Sequence, residues 1–445
     1  MRPLSWTQSP PEVIARWPRD IPLAALVTGT PDARWGRWSL LAAPSRVREA
    51  FTDEAALGHL REAFAEGTWV VSLAYELGAA FEPTAIPSGR GPDDGWPLSM
   101  AAECNDHLVH DHATGTWSAS PSAAWLAEAV GACLQDGRGD PGIARMDEPR
   151  AELDAGAYRA MVADAVERIH AGELFQANLA RRFRARWTGE PRAILRAALA
   201  AARPRHGAWI ETPERALVSM SPELFLDLDR RSGNVVSRPI KGTRPASADD
   251  RELLDSAKDA AELHMIVDLM RNDLGRCCRP GSVRVTQARA LERHETVLHA
   301  VAEVTGTLDG RADALDLLRA CFPPGSVTGA PKVRAMQVID RLEPVARGPY
   351  CGAVGLVTPE RMSLNVAIRT ALLRRDAIDA PAGELRYHAG CGIVSDSDPV
   401  EEEAESLQKV EVLRRTAATL NATAGPPGSA ATAPPARPPS SGAPG

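Results

Sequence analysis

Gly352-Ala-Val-Gly-Leu-Val357, Leu364-Asn-Val-Ala-Ile-Arg-Thr-Ala371 and Leu385-Arg-Tyr-His-Ala-Gly-Cys-Gly-Ile-Val394 are three short apolar runs that follow one another along the chain. Each reads as a β-strand. Residues 216–218 and 235–239 read the same way, as does the alternating Phe175-Gln-Ala-Asn-Leu-Ala180. Helical spacing is confined to residues 157–171 (apolar at Tyr158, Met161, Val162, Ala165 and Ile169), 259–273, and 331–342, where Pro331 marks the start. Helices do not follow every strand, as parallel βαβ winding requires. The pattern predicts a mixed α+β fold with a largely antiparallel sheet.

Outward from this region the chain changes character. All ten tryptophans lie at or before Trp209, whereas the later half is rich in glycine-containing motifs. Residues 68–77 (TWVVSLAYEL) read as a strand and 83–97 as a loop. The polar, Gly- and Pro-containing stretch 137–149 is the candidate linker between an N-terminal region, 1–136, and a second region, 150–420. Residues 424–445 (AGPPGSAATAPPARPPSSGAPG) have the composition of a disordered tail.

At 445 residues, 44% hydrophobic and 24% charged, the chain can bury a sizeable core. Its net charge of -7 argues against nucleic acid or an anionic membrane as the main partner. The seven cysteines are scattered, with no C-x-x-C pair, so neither a disulfide framework nor a zinc site is suggested. No apolar run approaches the length of a membrane span and the first twenty residues lack an apolar core, so a cytoplasmic setting is expected. Only Lys241, Lys258, Lys332 and Lys409 are lysine; every other basic residue is arginine.

Two glycine motifs mislead. Gly390-Cys-Gly392 opens like a dinucleotide fingerprint, but Ser395 stands where the third glycine belongs. Gly325 to Lys332 fails the spacing of a phosphate loop. Cys351 lacks the basic setting that activates a thiol. The charged clusters are more specific: Ser221-Pro-Glu223, Pro239-Ile-Lys241-Gly-Thr243, Ala261-Glu262 on the helix that runs to Arg271-Asn-Asp273, and Glu401 to Glu405 before Lys409.

Together with Phe175-Gln-Ala-Asn-Leu, Phe322-Pro-Pro-Gly-Ser-Val-Thr-Gly-Ala-Pro-Lys332, Ile368-Arg-Thr370 and Ala389-Gly-Cys-Gly-Ile-Val-Ser-Asp-Ser397, these clusters closely resemble the chorismate-utilising enzymes over about residues 150–415. That family includes the anthranilate, aminodeoxychorismate, isochorismate and salicylate synthases. The resemblance implies antiparallel β-sheets sandwiched together, with helices on the outside. Pro-Ile-Lys-Gly-Thr resembles the aminodeoxychorismate branch; anthranilate synthases typically carry Ala at the Lys241 position. Residues 69–83 also resemble that branch, and the Leu-Leu-Glu-Ser feedback motif of anthranilate synthases is not found.

The resemblance also implies roles. Its substrate is a dicarboxylate whose ring hydroxyl leaves as a nucleophile arrives. Glu262 and Glu405 would hold Mg2+ over the ring carboxylate, a hard cation suited to carboxylates; taken alone, each reads more readily as a solvated helix face, the usual fate of glutamate. Arg369 and Tyr350 would bind the enolpyruvyl carboxylate, helped by the backbone N–H groups of Gly390 and Gly392. Thr328 would donate to the same ligand, and His299 matches the family's active-site histidine. Glu223 would be the general acid. Gln176 stands where water-using relatives carry a lysine base, which disfavours isochorismate or salicylate formation. Lys241 would be the nucleophile, because an amine can give up its proton and attack whereas a guanidinium stays charged.

Lys332 and Lys409 are expected to supply substrate or metal-site electrostatics, and Lys258 a structural pair. The chain shows no cysteine in a nucleophile turn followed by His-x-Glu, so the resemblance implies ammonia from a separate glutamine amidotransferase subunit. The product would be 4-amino-4-deoxychorismate, on the way to p-aminobenzoate and folate. Anthranilate synthesis, or a catalytically silent chorismate-binding subunit, are the alternatives.

Overall fold

The computed structural model describes residues 1–91, 95–136, 142–293, 297–378 and 380–424. All but Ala424 of the expected disordered tail, and residues 137–141 of the expected linker, lie outside these. The described part of the linker includes a strand, Ala144–Met146, paired with the end of Gln176–Gly189.

Two antiparallel sheets organise the chain. One runs Arg2–Leu4, Thr116–Ala119, Asp106–Asp111, Trp38–Ala43, Ala24–Val27, His206–Glu211, Arg215–Ser221, Thr370–Arg375, Ala382–Ile393, Gln176–Gly189 and Arg150–Ala151. The other runs Ile240–Pro245, Val297–Thr307, Asn234–Arg238, Leu224–Asp229, Arg361–Val366, Ala353–Val357, Trp69–Leu73, Ser99–Glu103 and Arg46–Ala50. Both sheets thus combine strands from before residue 137 and after residue 150.

The sheets face each other across a core that includes Leu40, Ile210 and Leu372 from the first and Val70, Met100 and Val354 from the second. Their outer faces are covered by helices. Pro191–Ala202 and Glu411–Thr423 lie over the first; Ala257–Gly275 packs on Ile240–Pro245 and Val297–Thr307 of the second, while Ala155–His170 and Lys332–Leu342 pack on Gln176–Gly189 where the first sheet enters the same apolar cluster. This is the expected α+β sandwich, and its strands are half-buried apolar ladders because each has a helical layer on one side and the opposing sheet on the other.

Two strand expectations change. The run 364–371 is not one strand. Arg361–Val366 belongs to one sheet and Thr370–Arg375 to the other, and the chain crosses between them at 367–369, where Arg369 takes a left-handed φ of 50°. The crossing is tied down by Ala367 N to Gly352 O (3.0 Å) and Met220 N to Arg369 O (3.0 Å). Residues 68–77 form a strand only to Leu73. The chain then turns inward so that Tyr75 N donates to Gly348 O (2.8 Å) and the Glu76 carboxylate accepts from Arg347 N (2.7 Å).

Arg347 is the largest buried charge in the same region. It is paired bidentately with Glu343 (2.6 and 2.9 Å) and donates to the carbonyls of Val327 (3.1 Å) and Asn178 (2.5 Å), while Glu343 also accepts from Ala180 N (2.8 Å). These bonds join helix Lys332–Leu342 to strand Gln176–Gly189. Arg347→Ala would strand the Glu343 carboxylate in a dry setting, and urea unfolding is expected to show a loss of about 3–5 kcal/mol. A loss below about 1 kcal/mol would contradict this role.

Candidate active site

Glu223 sits at the turn from Arg215–Ser221 into Leu224–Asp229, set by Ser221 Oγ accepting from Glu223 N (3.2 Å) and by Val366 N donating to Glu223 O (3.0 Å). Its side chain is buried, 4% exposed. Burial pushes the carboxyl up to about 7, against the opposing pull of a Ser326 hydroxyl bond and of the Lys241 charge. A carboxyl so placed holds a proton near neutrality, as a general acid requires.

Lys241 projects from strand Ile240–Pro245, and its Nζ lies 3.8 Å from Glu262 Oε2, both side chains being little exposed. Gly392 closes the site from the neighbouring sheet. A Cβ there would collide with the Gln176 amide and stand 3.2 Å from Lys241 Nζ, so only glycine leaves room for both side chains. Gln176 is buried and its Oε1 has no hydrogen-bond partner among the described residues. His299 meets Thr243 of the same Pro-Ile-Lys-Gly-Thr segment, Nδ1 to Oγ1 at 2.9 Å, across a strand pair. Glu223, Lys241, Glu262, Gln176 and Gly392 are thereby brought together, with His299 held at the adjoining strand.

A second group adjoins the first. Helix Pro399–Gln408 presents Glu402 and Glu405, three residues apart and so on one face. Lys409 Nζ bonds Glu405 (2.7 Å) and Gly390 O (2.8 Å). Burial would raise the Glu405 carboxyl, but the Lys409 charge and hydrogen bond outweigh it and hold the group below its ordinary range. Glu262 is shifted upward by burial, with Lys241 and Lys258 pulling the other way. Glu402 was not anticipated from sequence. It is 3% exposed, accepts from Ser397 Oγ (2.7 Å), faces Lys258 Nζ (3.6 Å), and keeps Oε2 without a hydrogen-bond partner among the described residues. Its i, i+3 spacing to Glu405 was the available signal; nothing in the sequence marked Ser326.

Cys391, Glu402 and Glu405 each bring a donor atom within 4.8 Å of the others. The carboxylates suit a hard dication such as Mg2+ or Ca2+, and a buried carboxylate oxygen lacking a partner is what such an ion would satisfy. The thiol does not suit it, and Cys391 Sγ is already engaged with Glu402 O (3.3 Å).

The remaining expected residues have other engagements. Lys332 is turned away from a ligand role: its ammonium is held by Asp273 (2.6 Å) and Cys321 O (2.7 Å), joining its own helix to Ala257–Gly275 and Ala314–Cys321. Gly390 is required by the adjacent strand, because a Cβ there would run into Leu179 O and Ala180. The Thr328 hydroxyl lies against its own turn, at 3.2 Å from Pro324 O and 3.3 Å from Gly325 O. Tyr350 is buried and its ring stacks on His388 at 5.3 Å. Arg369 has no carboxylate in ion-pair contact among the described residues, and burial draws its guanidinium below its ordinary value. A shielded, unpaired guanidinium on a strained backbone suits an incoming anion.

Because the Glu223 carboxyl titrates near 4.5 when unfolded and about 7 when folded, the native state holds the extra proton between those values and stability falls as pH rises through that window. Glu223→Gln removes the effect. Between about pH 5 and about pH 7.5, urea unfolding should show the wild type losing about 2 kcal/mol more than the variant; parallel curves would refute the buried acid.

Residues 27–415 match the family described as chorismate binding enzyme. Aminodeoxychorismate synthase component 1 of Klebsiella aerogenes is 44% identical over 250 residues, 54% of this chain and 53% of that protein, so the chain matches about half the length of that relative. Anthranilate synthase component 1 of Saccharolobus solfataricus is 32% identical over 436 residues, 93% of this chain and 98% of that one. The solved structure of anthranilate synthase component I from Streptococcus pneumoniae TIGR4 superposes with a TM-score of 0.73 at 26% identity, covering 93% of this chain and 98% of that one. Among the described residues no helix is long and apolar enough to cross a membrane. With the family match spanning both sheets and both groups of site residues, the chain belongs to the chorismate-binding enzymes.

Proposed function

We propose that the protein aminates chorismate with ammonia to 4-amino-4-deoxychorismate, the transferase reaction of aminodeoxychorismate synthase component I. One observation carries the reading: an amine, Lys241, stands in a closed site beside a carboxyl raised to about 7. The Klebsiella relative, which carries that name, supports the same branch. The match over nearly the whole chain to an anthranilate synthase favours the second reading, in which the ring also loses its enolpyruvyl group.

In the proposed route Lys241, an ammonium at rest, first yields a proton to solvent and then attacks ring C2 as the free amine, recovering that proton on its release. The two ring double bonds shift and the C4–O bond breaks, with Glu223 giving its proton to the departing hydroxyl, which leaves as water. Ammonia then bonds to C4, the double bonds return, and the C2–N bond breaks to release Lys241. The protons lost by the nitrogens restore Glu223, so the sum is chorismate plus ammonia giving product plus water. Arg369 supplies the charge for a substrate carboxylate, and buried Gln176 occupies the place of a water-activating base. Glu262, Glu402 and Glu405 would hold Mg2+, which neutralises the ring carboxylate when bound. Ammonia would come from a separate glutamine amidotransferase subunit.

Lys241→Ala is expected to lower amination by at least about a hundredfold, in the range seen when a nucleophile is removed. Wild-type enzyme denatured during incubation with chorismate and Mg2+ but no ammonia should carry a substrate-derived mass on Lys241. Unmodified protein, together with unchanged activity of the variant, would sink the covalent route. Ammonium salts should sustain turnover by the purified chain and glutamine alone should not; appreciable glutamine-driven turnover would contradict the partner requirement.

A further inference from the structure

Glu262 of the first group and Glu402 and Glu405 of the second do not stand alone. Each of the three faces its own ammonium: Lys241 is 3.8 Å from Glu262, Lys258 is 3.6 Å from Glu402, and Lys409 is 2.7 Å from Glu405. Three negative charges are balanced by three positive ones before any cation arrives. A dication entering this set meets the repulsion of the ammonium groups as well as the attraction of the carboxylates, and gains the full attraction only if one ammonium withdraws.

The three lysines differ in their freedom to do so. Lys409 is anchored by Gly390 O as well as by Glu405. Lys241 is enclosed, its side chain 12% exposed. The Lys258 side chain is 52% exposed and has solvent to swing into. It is also the second residue of helix Ala257–Gly275, where the aligned peptide dipoles place partial positive charge and disfavour a cation. What draws it inward is the charge of Glu402, Glu262 and Glu405, all of which act on it. Glu402 meanwhile retains its buried oxygen without a hydrogen-bond partner among the described residues, so a donor is in place for the ion that would succeed the ammonium.

We infer that Lys258 is an internal counter-cation for this carboxylate set, displaced into solvent when a divalent cation binds, and that it thereby sets the affinity for that cation. The inference rests on the proposal that Glu262, Glu402 and Glu405 hold such an ion. Lys258 touches no reacting atom in this account. It acts on the site through the carboxylates.

The test is direct binding of Mn2+, followed by the loss of the free-ion electron paramagnetic resonance signal on adding the full chain, with Mg2+ as competitor. Lys258→Met should bind Mn2+ about tenfold more tightly than wild type, equivalent to about 1.4 kcal/mol, and Lys258→Gln should do the same should the first variant fold poorly. Lys258→Arg, which keeps the charge, should stay within about twofold of wild type. Equal or weaker binding by folded Met and Gln variants would overturn the counter-cation role while leaving the cation site standing. No Mg2+-competable binding by folded wild type or any variant would overturn the cation site, and the role of Lys258 with it.

Discussion

Twelve consecutive antiparallel pairs between Gln176–Gly189 and Ala382–Ile393, from Ala177 opposite Ile393 to Thr188 opposite Ala382, fix the register on which the site depends. A slip of one residue would send every side chain of either strand to the other face. In the observed register Gly392 lies opposite Asn178, and its missing side chain is the space that Gln176 and Lys241 share. Two residues earlier, Gly390 offers its carbonyl to Lys409, and between them Cys391 reaches the backbone of the helix that carries Glu402. The ladder thus joins the amine and acid group to the carboxylate group without either having to fold separately.

Charge is then distributed unevenly across this frame. Where the structure needs rigidity, cations are fully engaged: Arg347 with Glu343 and two carbonyls, Lys332 with Asp273. Where a ligand must enter, the engagement is incomplete. Among the described residues Arg369 lacks a carboxylate partner and Gln176 and Glu402 each keep a buried oxygen without a hydrogen bond, while Glu223 is dry enough to keep its proton. Other buried atoms without a partner among the described residues lie away from this region, Trp96 Nε1 and His110 Nδ1 among them, so it is the company of Lys241 and the raised Glu223 acid that marks these as places for external atoms.

Much of this was legible in the sequence because chemistry-bearing residues fall in short, ordered motifs. The scarcity of lysine in an arginine-rich chain pointed to Lys241, Lys258 and Lys409, which the fold gathers about the carboxylates; the fourth, Lys332, joins three helices instead. Apolar periodicity found the strands and the antiparallel class. It could not see that 364–371 crosses between sheets, because a left-handed residue at Arg369 leaves no trace in hydropathy. Nor could it separate Glu402, buried and paired, from the run of glutamates around it, since burial there depends on how its helix packs against Ala155–His170 and Ala382–Ile393. Gly390 reads as an anion-binding glycine, and hydropathy could not show that Leu179 and Ala180 also leave no room for a side chain there.

The central claim is that an amine nucleophile and a protonated acid act on chorismate so that nitrogen arrives at C4 and the enolpyruvyl group stays. The most direct measurement is the mass spectrum of the product formed by the purified chain from chorismate, Mg2+ and ammonium. The account predicts 4-amino-4-deoxychorismate, with the enolpyruvyl group retained and no pyruvate released. Anthranilate with stoichiometric pyruvate would contradict it.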